Sequence, residues 1–85
     1  MNSIEQVEAC ARKLLSQMYN CRESSLTDGT AIESEFGMDS LSFFELLVQM
    51  EDCLDIEIDE NRLPSDFISK TFREQINGIA SSIRV

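Results

Sequence analysis

Histidine and tryptophan are missing from this 85-residue chain, proline occurs once and glycine three times. Without histidine there is no imidazole base, no Ser-His or Cys-His nucleophile pair and no histidine metal ligand. The three cysteines, Cys10, Cys21 and Cys53, are an odd set with no Cys-x-x-Cys spacing. Neither a disulfide framework nor a zinc site is indicated, and a reducing compartment is. Cys10 and Cys53 read as small buried hydrophobes, and Cys21, in a polar stretch, as the candidate exposed thiol. Basic residues are also scarce: 7 Lys+Arg stand against 16 Asp+Glu, a formal charge of -9. Such a surface repels phosphate backbones, which argues against nucleic-acid binding. No segment reaches the roughly 20 apolar residues of a membrane span. Glu5 and Glu8 near the start, with no continuous apolar run, do not make a signal peptide. These absences lead us to expect a cytoplasmic, monomeric protein that does no chemistry unaided.

What is present suffices for a fold. Hydrophobic residues make up 42% of the chain, near the globular average, and residues 1–85 read as one domain whose core supplies about 3–5 kcal/mol net. Ser3 and Gln6 match a capping box, followed by Ile4, Val7, Ala11, Leu14, Leu15 and Met18 at helical spacing. This helix should fade near Tyr19-Asn20. Residues 20–39 lose periodicity and read as a long loop anchored by Leu26, Ile32 and Phe36.

A second helix begins at Asp39-Ser40 and runs to about Cys53 or Leu54. Phe43, Leu46, Leu47, Met50, Cys53 and Leu54 form its core stripe, whereas Leu41, Phe44 and Val48 fall on the opposite side among Glu45, Glu51, Asp52 and Asp55. Ile56 and Ile58 alternate with Glu57 and Asp59 in a short extended link, and Asp59 to Leu63 allows one helical turn before Pro64. A last helix starts at a second capping box, Thr71 with Glu74, and buries Phe72, Ile76, Ile79, Ala80 and Ile83. Gly78 looks like a mild flaw within it. The expected fold is all-α: a small four-helix bundle of three main helices and one short one, with a long loop between the first and second helices.

The negative charge is local. Residues 23–61 carry twelve acids and no Lys or Arg, so their charge is -12 and the rest of the chain carries +3. Such a block is often only a solvated face. Sharing a helix face with outward apolar residues, it suits docking to basic partners, which its field would steer.

The segment Glu35-Phe36-Gly37-Met38-Asp39-Ser40-Leu41 joins the loop to the second helix. Gly37 suits a tight turn, and Asp39 or Ser40 would cap the helix. A serine at a helix N-terminus is also placed to hold a phosphate, because free N–H groups and the helix dipole favour an anion. Having no base beside it, Ser40 suits modification by another enzyme better than catalysis.

With these residues in view, the chain resembles the acyl carrier protein family, whose phosphopantetheine-binding members include peptidyl and aminoacyl carriers. The resemblance rests on Gly37-x-Asp39-Ser40-Leu41, Phe44-Glu45-Leu46, Glu51-Asp52, Asp55-Ile56-Glu57-Ile58 and the final helix from Thr71, and covers nearly the whole chain. It implies that a phosphopantetheinyl transferase attaches 4'-phosphopantetheine from coenzyme A to Ser40, and that the arm carries an acyl or aminoacyl group as a thioester. Asp39 then matches the acid that helps hold the transferase's magnesium. Leu41, Phe44, Glu45, Val48, Glu51 and Asp52 match the helix that docks onto basic patches of the loading enzyme and of downstream synthases or transferases. Leu46, Leu47, Met50 and Leu54 match inward positions where some members shelter a fatty chain.

Ser42, Phe43, Phe44 and Asp59 depart from the bacterial fatty-acid pattern, and Leu63-Pro64-Ser65-Asp66-Phe67 is closer to peptidyl, aminoacyl or specialised polyketide carriers. Aromatic filling at Phe43 or Phe67 would narrow any acyl-chain cavity. The reading is a stand-alone carrier of a dedicated biosynthetic pathway, with no metal and no catalytic residue of its own. The alternatives are an acidic calcium-binding protein or a helical adaptor without a prosthetic group. Asp55, Glu57 and Asp59 have calcium-loop spacing, but Glu60 stands where the loop needs glycine and position twelve is Asp66. The adaptor reading gives no reason for the Gly37 to Leu41 motif.

Overall fold

In the computed structural model, which describes residues 3–84, both capping boxes form. Gln6 N–H donates to Ser3 Oγ (3.3 Å) and Ser3 N–H to Gln6 Oε1 (2.9 Å), starting helix α1, Ile4–Tyr19. Its stripe buries Val7, Cys10, Ala11 and Leu15, while Ile4, in the first turn, stays exposed. Asn20 ends the helix in a left-handed conformation (φ 51°).

Residues 20–39 are more structured than their lost periodicity suggests. A 3-10 turn at Glu23–Ser25 precedes a five-residue helix, α2, Ile32–Phe36, closed by Gly37 at φ 72°. The short fourth helix of the bundle therefore lies inside the expected loop, and the segment after Asp59 makes only a 3-10 turn, Glu60–Arg62. Leu26 and Ile32 are buried anchors, and Phe36 stacks on Tyr19 with ring centroids 5.3 Å apart. The Arg12 guanidinium holds this stretch by donating to the Glu23 carbonyl (3.0 Å) and the Leu26 carbonyl, and lies 4.9 Å above the Phe72 ring. Phe72 N–H donates to the Thr30 carbonyl (2.8 Å), which fastens the segment to the last helix.

Helix α3 spans Ser40–Leu54 and α4 spans Phe72–Ser81. α1 packs against both. Phe43, Leu46, Leu47 and Met50 of α3 and Phe72, Ile76 and Ile79 of α4 belong to one core cluster. Two sequence expectations fail at the ends of these helices. Cys53, at the margin of the α3 stripe, is exposed. Ile83 lies beyond α4, half-buried in a strand: β1, Glu57–Ile58, pairs antiparallel with β2, Ile83–Arg84, placing Glu57 opposite Arg84 and Ile58 opposite Ile83. Among the described residues no helix is long and apolar enough to cross a membrane.

Candidate functional site

The junction of α2 and α3 is a tight turn that leads into a capped helix start. Gly37 turns the chain with a left-handed backbone, and Met38, 2% exposed, anchors the turn in the core. Asp39 then caps α3: its carboxylate accepts the Ser42 N–H at 2.8 Å. That hydrogen bond holds the Asp39 carboxyl below the usual carboxylate range, so it is anionic at neutral pH. Ser40 follows as the first residue of the helix, with its side chain exposed. The opening N–H groups of a helix have no carbonyl partner within it, and Asp39 accepts that of Ser42.

Along α3 from Ser40 runs an unburied apolar line. Leu41 is 69% exposed, Phe44 50% and Val48 48%, at spacings that share one helix face. Glu45 and Asp52 are exposed beside them. Glu51 differs: it is half-buried, and its carboxylate accepts the Ile58 N–H at 2.8 Å, tying β1 to the end of α3. Past Val48 the face opens into a groove of about 720 Å³ lined by Val48, Gln49, Glu51, Asp52, Ile56, Glu57, Ile58 and Arg84. Arg84, the one base in that lining, ion-pairs with Asp59 at 3.4 Å.

With this geometry in place, comparison with known proteins decides the family. The family model of the phosphopantetheine attachment site matches residues 11–75, a span that includes the α2–α3 junction and the whole of α3. The chain belongs to this family.

It is therefore a carrier protein, without catalytic activity of its own, that holds a thioester on covalently attached 4'-phosphopantetheine. Carriers of this family work with phosphopantetheinyl transferases and biosynthetic enzymes. The residues present fit the group: an exposed primary hydroxyl suits a phosphodiester, and the start of a 15-residue helix favours its negative charge. Of the cysteines, Cys53 is exposed, whereas Cys10 and Cys21 are less suited to carry cargo. Cys10 is buried, and burial together with its hydrogen bond to Cys53 pushes its thiol up to about 12, so it stays protonated. Cys21 is half-buried, not fully exposed as its polar surroundings suggest. Among the described residues no cluster of three or more His, Cys, Asp or Glu is arranged to hold a metal ion. Asp59, which shares calcium-loop spacing with Asp55 and Glu57, accepts the Asn61 N–H and pairs with Arg62 and Arg84.

Sequence reasoning missed the groove and Arg84. A two-residue strand has too few positions to display period-2 alternation, so its partner cannot be recognised before the chain folds. It also missed the network of Glu8, Arg12, Asp28 and Arg73, in which Arg73 donates to Glu8 and to Asp28 (3.1 Å). No local spacing signals a contact between residues 65 positions apart.

Proposed function

We propose that Ser40 is the residue that bears the phosphopantetheine arm, and that the carrier serves a specialised polyketide-like or nonribosomal-peptide-like pathway in the cytoplasm. The observation that carries the assignment is the exposed Ser40 hydroxyl opening α3 directly after the Asp39 cap. The transferase brings the base and the metal. Ser40 Oγ forms the new bond to phosphorus, adenosine 3',5'-bisphosphate leaves from coenzyme A, and the hydroxyl proton passes to the transferase. Asp39 has two roles in this reading: its carboxylate fixes the helix start and remains negative beside the transferase's magnesium. The arm supplies a thiol that holds acyl or aminoacyl cargo as a thioester.

Leu41, Phe44, Glu45, Val48 and Asp52 form the docking face for the transferase, the loading enzyme and downstream synthases. Exposed apolar residues supply area and the acids supply orientation toward basic patches. Glu51 contributes charge to that face while bound to Ile58 N–H. The unpaired thiols fit a reducing compartment. Treatment with coenzyme A, magnesium and a broad-specificity transferase, followed by peptide fragmentation, tests the site: the added mass should map to Ser40 and not to the neighbouring Ser42.

A further inference from the structure

A chain carried from Ser40 has two places to lie, inside the bundle or outside it. On the inner side of α3 the space is filled by two aromatic rings. Phe67 and Phe43 are both buried and meet edge to face, with centroids 5.1 Å apart and planes at 61°. The Phe67 ring also rests on the backbone of α4 where Gly78 has no side chain. A Cβ at that position would stand 2.8 Å from Phe67 Cζ, closer than carbon atoms pack. Phe67 opens a 3-10 turn, Phe67–Ser69, that is held as well: buried Gln75 donates Nε2 to the carbonyls of Phe67 (3.4 Å), Ile68 (3.1 Å) and Lys70 (3.4 Å). Leu46, Met50 and Ile76 are as fully buried in the same core. The ring is gripped from α3, from α4 and through its own main chain.

We propose that Phe67, seated in the notch left by Gly78, is a specificity-determining residue that closes the bundle interior to cargo. This rests on the assignment of the arm to Ser40. The class of cargo follows from the closure. Each methylene kept in water forgoes a factor of roughly four in equilibrium preference, so a long alkyl chain shut out of the interior would be driven onto the exposed apolar face of Leu41, Phe44 and Val48. A short or polar acyl or aminoacyl group is carried outside without that penalty.

The test starts from the wild-type protein loaded in one step from octanoyl-coenzyme A, with intact mass reporting the arm and its loss in Ser40→Ala. That reading stands or falls on the mass alone. Backbone amide NMR shifts are then compared between the octanoyl and unacylated holo forms. Closure predicts changes confined to the outer residues from Ser40 to Val48, with Phe67, Ile76, Gly78 and Ile79 unmoved. Shifts at these four interior residues in the wild type would overturn it. In Phe67→Ala, octanoylation should move them, and hydroxylamine should cleave the thioester at least about tenfold more slowly than in wild type. Equal cleavage rates would remove Phe67 as the determinant. Should that variant not fold, Phe67→Leu gives a smaller shift of the same sign, and the wild-type comparison still decides.

Discussion

Arg73, in the first turn of α4, donates its guanidinium to the Glu8 carboxylate on α1. The same guanidinium reaches Asp28, and Glu8 also accepts from Arg12 at 2.8 Å. One cluster therefore joins the first helix, the long connection and the last helix.

The cluster makes a pH prediction. Hydrogen bonds from Arg12, then from Arg73, hold the Glu8 carboxyl below its ordinary value of 4.5. A depressed folded-state value gives stability that is present above the unfolded value and lost as pH falls through the folded one. The melting temperature of the wild type should therefore fall more steeply below about pH 4.5 than that of Glu8→Gln. Parallel melting curves from pH 6 to pH 3 would refute this. Arg73→Ala should melt lower than wild type at neutral pH, and by less at high salt.

Gly78→Ala separates helix propensity from packing. Propensity alone favours alanine by about 1 kcal/mol within a helix. The new Cβ would press on the Phe67 ring, and overpacking of a filled core costs about 1–3 kcal/mol. Denaturant unfolding should show a net loss in the wild-type background, and a smaller loss in Phe67→Leu, where the ring is gone. A stabilised Gly78→Ala would show that the ring does not occupy the notch.

Two neighbouring acids should behave differently. Glu51→Ala removes the acceptor of the Ile58 N–H and should destabilise by about 1–2 kcal/mol, with Glu51→Gln milder. Asp52→Lys, on the exposed face, should leave helical content unchanged and slow transferase loading several-fold at low salt, the gap closing as salt rises. Equal loading rates at low salt would contradict the docking role of that face.

The inner stripe of α3 and α4 should answer to truncation in the usual way for a filled core. Leu46→Ala or Ile76→Ala should lose roughly 2–5 kcal/mol, enough to unfold so small a bundle at ordinary temperature. Wild-type melting in either variant would mean that the buried and outward faces had been exchanged.

The three main helices were legible because each begins with a side-chain cap, at Ser3, Asp39 and Thr71, and each buries one periodic stripe. The exposed side of α3 was legible for the same reason, since periodicity separates Leu41, Phe44 and Val48 from Leu46 and Met50. Helix α2 was hidden because Ile32 and Phe36 span little more than one turn, too short for a period to show. Cys53 stood at the margin of its stripe, where projection onto a wheel cannot decide burial. Gly78 was misread because its role depends on Phe67, eleven residues earlier, whose ring needs the space a Cβ would fill. The Ser40 motif was readable as a helix start placed to hold a phosphate, but the groove bordered by Arg84 exists only after β2 pairs with β1.

The proposed attachment of the arm to Ser40 is tested most directly by intact-mass spectrometry of wild type beside Ser40→Ala. After incubation with coenzyme A, magnesium and a broad-specificity transferase, the wild type should gain the mass of one phosphopantetheine and Ser40→Ala should gain none. A wild type left unmodified while a control carrier is converted, or a Ser40→Ala variant that gains the same mass, would contradict the account.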